Sequence, residues 1–157
     1  MAPSKEDMAG QYQNNSIYIF LRSRGALPGF HWGIFIPTAS PLGHIWHATD
    51  NQGGWRLEHH VEIDEVPFSI GLVLCQKIGT ADADKFEMCY DVLNAVGADG
   101  TPSPHTGEAF SCRVWVKDAM LALHKNRIIV LPGEADEVEA YVLAAANRGR
   151  GYGEGQQ

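Results

Sequence analysis

The first half of the chain alternates short apolar runs with turn residues. Strands are predicted for the runs rich in β-branched and aromatic residues: SIYIFLRSR, HWGIFIPT, HIWHAT, WRLEHHVEI and PFSIGLVLCQKIG. The segments between them are short and contain Gly, Pro, Asn, Asp and Ser. Because short connections favour antiparallel neighbours, we expect a meander in which successive strands pair.

The second half of the chain changes to helical spacing. Apolar residues recur every three or four positions in ADADKFEMCYDVLNAV, and again in CRVWVKDAMLALHKN, which follows Ser111. The segment EADEVEAYVLAAANRG predicts a last helix that ends at Gly149. Strands followed by helices predict an α+β fold, with an antiparallel sheet of about five strands packed against two to three helices.

The length of 157 residues predicts one folded domain, and a hydrophobic content of 45% excludes a wholly disordered chain. We expect a flexible leader over residues 1–14, a single catalytic domain over 15–148 and a flexible tail over 149–157. No apolar run approaches the roughly 20 residues that span a bilayer, and residues 1–14 lack the apolar core of a signal peptide. We therefore expect a cytoplasmic protein without a membrane partner.

The three cysteines are an odd number without CxxC spacing, and in the reducing compartment expected for this protein they should be thiols. Cys75 lies in an apolar strand and Cys89 in the middle of a helix, so both are predicted to be core residues. Cys112 follows Ser111, a residue that can cap a helix, and the amides of a helix N-terminus favour a thiolate. Cys112 is therefore a candidate nucleophile, with a core position as the alternative.

The histidines do not have the spacing of a metal site. Strand alternation points His44 and His47 to opposite faces, and the adjacent His59 and His60 also diverge. We therefore expect no metal and no cofactor, and a metalloprotein is the less favoured alternative. His31 opens an apolar strand directly after a turn, so it is a candidate general base if a nucleophile and an orienting group lie within reach.

The segments HWGIFI, IWHA and FSCRVWVKDAMLAL resemble, in order, those of the lecithin–retinol acyltransferase family and its NlpC-like peptidase relatives. The resemblance covers residues 30–123 and implies a circularly permuted papain-like fold. It also implies that Cys112 attacks a carbonyl carbon to form a thioester, that His31 is the base and that His47 orients His31. Two departures are Ser111, where the acyltransferases usually have Asn, and a longer spacing between the two histidines.

The fuller pattern, with GGWRLE and VLCQKIG, is similar to small proteins of filamentous fungi and resembles the fungal arginine-containing cyclodipeptide synthases. This resemblance implies transfer of an aminoacyl group, with charged tRNA as the acyl donor. The formal charge of −7 argues against broad attraction to nucleic acid. Alternatives are a cysteine amidase, peptidase or thioesterase, and a non-catalytic binding module of the same fold.

The segment WRLEHHVEIDE is acidic, which is typical of a solvated edge strand. If Glu58 points into the cleft, however, its carboxylate can pair with a cationic substrate group such as a guanidinium. We therefore predict that Glu58, Trp32 and Trp55 contact a small-molecule or aminoacyl substrate.

Overall fold

The computed structural model of the chain describes residues 12–40, 42–50, 53–63 and 71–155. Within these ranges, an open five-stranded antiparallel sheet packs against three helices. The predicted α+β class is therefore confirmed. No helix in the described ranges is both long and apolar enough to cross a membrane.

The strands are β1 (Ser16–Ser23), β2 (Phe30–Ala39), β3 (Leu42–Thr49), β4 (Arg56–Ile63) and β5 (Leu72–Thr80). Their order in the sheet is β4-β3-β2-β1-β5, so β1 to β4 pair successively as expected. The meander prediction is wrong for β5, which pairs antiparallel with β1 instead of β4. Residues 16–21 of β1 are buried on both faces, as is typical of an interior strand, and β1 pairs with β2 along one edge and with β5 along the other.

The helices are α1 (Phe86–Ala95), which follows a short 3₁₀ turn at Ala83–Lys85, α2 (Cys112–Lys125) and α3 (Ala135–Gly155). Helix α3 continues past Gly149, where the sequence predicted its end. A single glycine lowers helix stability by only about 1 kcal/mol, so it does not by itself stop a helix.

Helix α2 begins where the sequence predicts. The side-chain oxygen of Ser111 accepts a hydrogen bond from the backbone N–H of Val114 at 3.2 Å, so Ser111 is the N-cap and Cys112 is the first helical residue. Residues 1–11 of the predicted leader lie outside the described ranges. Tyr12 is buried and packs edge-on against Tyr18, with 5.5 Å between the ring centroids.

The two faces of the sheet are covered differently. On one face, Trp32 of β2 and Trp46 of β3 pack with Trp115 and Met120 of α2 in the main core. The opposite face, here called the outer face, carries a smaller buried cluster of strand residues and Tyr12: Tyr12, Tyr18, Phe20, Phe35 and Ile45. Polar side chains of β1 to β4 lie on the outer face beside this cluster.

Candidate acid–base site on the outer face

Two histidines meet on the outer face. Strand alternation places Trp32 and Trp46 in the main core, and therefore places the preceding His31 and the following His47 on the outer face. Nε2 of His31 and Nδ1 of His47 are 2.9 Å apart and share a hydrogen bond. The two rings are nearly perpendicular, at 86°, and both side chains are partly buried.

A carboxylate lies on the far side of His47. Glu58 of β4 is the register partner of His47, and its Oε1 lies 3.4 Å from Nε2 of His47. The same oxygen hydrogen-bonds His60 at 3.1 Å, and the other oxygen accepts from the guanidinium of Arg56. The hydrogen bond from Arg56 is the main cause that lowers the pKa of Glu58. Glu58 is therefore ionised, with partners from the chain itself on both oxygens.

The charge on Glu58 selects one tautomer of the histidine pair. If His31 donates from Nε2 to Nδ1 of His47, then neutral His47 carries its proton on Nε2, facing the carboxylate. In the opposite arrangement the lone pair of His47 Nε2 would face the negative charge of Glu58, which is unfavourable. The favoured tautomer leaves Nδ1 of His31 unprotonated and able to accept a proton.

Both histidines are neutral at neutral pH. The pKa of His31 is lowered to about 4, first by burial, then by its contact with His47, which disfavours a second proton on the pair, and by the charges of Arg22 and Arg24. Burial also lowers the pKa of His47, although the carboxylate of Glu58 acts in the other direction. A neutral imidazole is the form that accepts a proton in general-base catalysis.

The glycine of the HWG segment fits close packing on the outer face. A Cβ at Gly33 would lie 2.3 Å from Cζ of Phe20 and 2.9 Å from the backbone oxygen of Trp46. The ring of Phe20 can therefore lie directly on the backbone of β2. In the HWG segment, the His31 side chain lies on the outer face, the Trp32 side chain fills the main core, and the absence of a side chain at Gly33 leaves room for Phe20.

Cys112 lies on the helix-covered side of the sheet. Its thiol donates to the backbone oxygen of Phe30 at 3.8 Å, and its side chain lines a cleft with Trp32 and Arg24. Because the side chains of Phe30 and Trp32 face the main core, His31 between them faces away from this cleft. The structure brings together His31 and His47 of the predicted Cys–His–His set and places the thiol on the other side.

The predicted substrate-binding residues are likewise not brought together. Trp32 is 2% exposed and fills the main core. Trp55 packs edge-on against Phe110, with 5.0 Å between the ring centroids, on the same side as Trp32. Glu58 lies on the outer face, bound to Arg56 and His60.

A second histidine pair lies on the helix-covered side. Nδ1 of His44 and Nε2 of His59 are 2.8 Å apart. The His59 ring stacks on Trp46, and the His44 ring stacks on Tyr90 of α1. The predicted divergence of His44 from His47 and of His59 from His60 is therefore confirmed. The contact between His44 and His59 itself depends on the register of β3 and β4, which the sequence pattern does not specify.

Three outer-face residues have the donor atoms of a metal site. The ligand atoms of His47, Glu58 and His60 all lie within 4.8 Å of one another. However, the guanidinium of Arg56 binds the other oxygen of Glu58, so this carboxylate already has a cationic partner whose charge would repel a metal ion. We therefore interpret these residues as a hydrogen-bonded polar cluster.

One protein-family model matches the chain, over residues 17–130, which include β2 to β5, α1 and α2. Its description is a family of unknown function, DUF6540. The chain belongs to this family. No curated protein and no solved structure matches the chain significantly. The match covers His31, His47, Glu58 and Cys112, whereas Leu143 and Asn147, which also line the cleft beside Cys112, lie beyond it.

Proposed function

We propose that the protein catalyses acyl transfer on the outer face of the sheet, with His31 as the general base. The observation that carries the proposal is the 2.9 Å hydrogen bond between His31 and His47, with Glu58 on the far side of His47. A base, a group that orients it and a fixed charge, each in contact with the next, are the parts that general-base catalysis uses. All three belong to strands of one sheet, which holds their relative positions.

In the proposed reaction, a hydroxyl, an amine or a water molecule attacks a carbonyl carbon. As the new bond forms, the proton of the nucleophile moves to Nδ1 of His31, and the carbonyl oxygen becomes an oxyanion. The tetrahedral intermediate then reforms the carbonyl and breaks the bond to the leaving group, which takes the proton back from Nδ1. His47 accepts the hydrogen bond from Nε2 throughout, so it stabilises the imidazolium that forms in between. General acid–base catalysis of this kind contributes about a hundredfold or more to a rate.

The carbonyl substrate is proposed from the resemblance to papain-like acyltransferases. An open antiparallel sheet with the two histidines on neighbouring strands is compatible with that fold. An aminoacyl group is the acyl group we propose, and charged tRNA stays a predicted donor. Lys117 and Arg113 of α2 are bound to carboxylates, so among the described residues Arg22 of β1 and Arg24 of the following turn are the cations that we propose for phosphate contacts.

A second candidate is thioester chemistry at Cys112. It is favoured by the position of Cys112 as the first residue of the capped helix α2, beside a cleft that Arg24 also lines. In that case the base is a group other than His31, which faces the opposite side of the sheet. The two candidates therefore place the chemistry on opposite faces and predict different mutant phenotypes.

Activity is tested with a panel of aminoacyl thioesters, aryl esters and charged tRNAs, followed by mass spectrometry of the products and of the intact protein. We expect His31→Ala to lower turnover by about a hundredfold or more. The matched control is His105→Ala, since His105 is an exposed histidine outside the site, and it should keep wild-type turnover. Dialysis against a chelator should also leave turnover unchanged.

Full turnover in His31→Ala would overturn the proposal. Loss of turnover in Cys112→Ala, together with a mass increase on Cys112 in the wild type, would establish the thiol candidate in its place. Binding of an aminoacyl compound without any turnover would indicate the non-catalytic binding module.

A further inference from the structure

Arg22 of β1 lies directly beside the proposed base. It is the register partner of His31 in the pairing of β1 with β2, so both side chains lie on the outer face. Its guanidinium carbon lies 5.1 Å from the centroid of the Phe20 ring, a cation–π distance. Packing on Phe20 thus holds a positive charge next to His31.

Arg22 also has an unused hydrogen-bond donor. Its Nε is buried and has no hydrogen-bond partner in the described part of the chain. Two other arginines are bound to carboxylates, Arg56 to Glu58 and Arg113 to Glu139, whereas no described carboxylate lies within ion-pair distance of Arg22. A buried donor without a partner costs free energy, and such groups are rare in native proteins unless a ligand or water completes them.

The charges around His31 are cationic, although the chain as a whole carries −7. Arg22 and Arg24 both act on His31, which is itself neutral, and the negative charge of Glu58 is compensated by Arg56. Among the described residues next to His31, the charge without an oppositely charged partner is therefore the positive charge of Arg22. This is the opposite of the sequence-based expectation, in which Glu58 would select a cationic substrate.

We propose that Arg22 binds an oxyanion of the substrate, a carboxylate or a phosphate group, beside His31. The Nε–H and one Nη–H of a guanidinium form two parallel hydrogen bonds to such a group, which would complete the buried donor. The role as a substrate contact rests on the proposed function, but binding of the anion is measurable without any turnover.

The test follows the Arg22 Nε–H resonance and the His31 ring resonances of the intact protein by NMR. Inorganic phosphate and acetate are titrated separately, at constant ionic strength. We expect at least one anion to shift the Arg22 and His31 resonances saturably. We expect Arg22→Gln to weaken the affinity for that anion by about tenfold or more, as for other hydrogen bonds to charged groups. The control Arg148→Gln removes the same charge from an exposed position on α3 and should bind like the wild type.

Arg22→Lys keeps the positive charge but cannot form the two parallel hydrogen bonds of a guanidinium. We therefore expect an affinity between those of the wild type and Arg22→Gln. It also provides a second variant if Arg22→Gln does not fold. Saturation by phosphate alone, by acetate alone or by both supports the proposal and identifies the kind of anion. The absence of a saturable shift in the wild type, or equal affinity in Arg22→Gln, Arg22→Lys and the wild type, would overturn it. If anions bind while His31→Ala keeps full turnover, the proposed function fails and the anion site stands.

Discussion

Nε2 of His31 lies 2.9 Å from Nδ1 of His47, and the two residues belong to neighbouring strands on the same face of the sheet. Glu58, on the next strand, lies directly opposite His47. The three side chains therefore form one line of contacts across β2, β3 and β4. Because backbone hydrogen bonds fix these strands relative to one another, the imidazole of His31 is oriented before any substrate binds, which lowers the entropic cost of catalysis.

The pH dependence of turnover should report the protonation of His31. Its pKa is lowered to about 4, so His31 stays an unprotonated base down to that pH. We expect kcat/KM for a neutral ester or thioester to be level above about pH 5 and to fall as the pH drops through about 4. A fall of kcat/KM centred near pH 6.5, the ordinary pKa of histidine, would contradict this assignment. An increase of kcat/KM that continues up to about pH 8.5, the ordinary pKa of a thiol, would indicate a thiol nucleophile.

Stability should also depend on pH through His31. Its pKa is about 4 in the folded state and about 6.5 in the unfolded chain, so the unfolded chain binds more protons between these values. The free energy of unfolding should therefore decrease as the pH is lowered from 7 to 5. The pKa values of His47 and His59 are lowered as well, so His31→Gln should make this decrease smaller without removing it. Urea denaturation at pH 7, 6 and 5 measures the difference, and an identical decrease in both proteins would contradict the prediction.

The close approach of Phe20 to β2 predicts that Gly33 tolerates no side chain. The added methyl of Gly33→Ala would meet a ring that is itself fully buried, so the ring cannot turn towards solvent. We expect the free energy of unfolding to fall by about 1–3 kcal/mol, as for other overpacked sites. Gly97→Ala is the control, because a Cβ there meets no atom within 4 Å, and it should change stability by less than about 0.5 kcal/mol. Equal stability of the two variants in urea denaturation would show that Phe20 can move aside.

Local patterns in the sequence predicted much of this arrangement. Ser111 followed by an apolar period located the start of α2, and strand alternation separated His44 from His47. Strand alternation also separates His31 from Trp32, so these two residues of the predicted site could not face the same side. Once helices cover the Trp32 side, a residue at the start of α2 cannot share a face with His31. The sequence left this open because β2 is apolar on both faces, so its pattern does not tell which face the helices cover.

The contacts that depend on strand register were not predictable from local patterns. Arg22 is opposite His31, and Glu58 is opposite His47, only in one register of each strand pair. A shift of one residue would move every side chain of a strand to the other face. The pairing of β5 with the edge of β1 likewise depends on contacts between residues far apart in the chain. The cationic surroundings of His31 follow from these pairings and not from the charges along the chain.

We expect removal of the buried charge of Lys117 to destabilise the protein more than removal of the exposed charge of its partner Asp136. Lys117 of α2 is 2% exposed, and its ammonium group contacts Glu108 at 2.5 Å, Asp136 at 2.7 Å and Glu139 at 3.4 Å. Lys117→Met should lower the free energy of unfolding by about 2–3 kcal/mol, because it removes one of the two cations among the described residues that hold the partly buried carboxylates of Glu108 and Glu139 and leaves them only Arg113. Asp136→Asn should lower the free energy of unfolding by less than about 1 kcal/mol, since the Asp136 side chain is 78% exposed. Equal losses in urea denaturation would show that the ammonium group is not a buried charge.

The last prediction separates two roles of Glu58. If Glu58 orients the histidine pair, Glu58→Gln removes the charge that selects the tautomer with a proton on Nε2 of His47, and the competent form of His31 becomes less populated. We expect kcat to fall by roughly tenfold or more, with KM nearly unchanged, and to the same extent for cationic and neutral substrates. The ring ¹⁵N shifts of His47 should show the change of tautomer directly. Glu87→Gln, on an exposed position of α1, is the matched control and should have no effect on kcat. If Glu58 instead binds a cationic substrate group, the loss will be confined to cationic substrates, will appear in KM and will leave the tautomer of His47 unchanged.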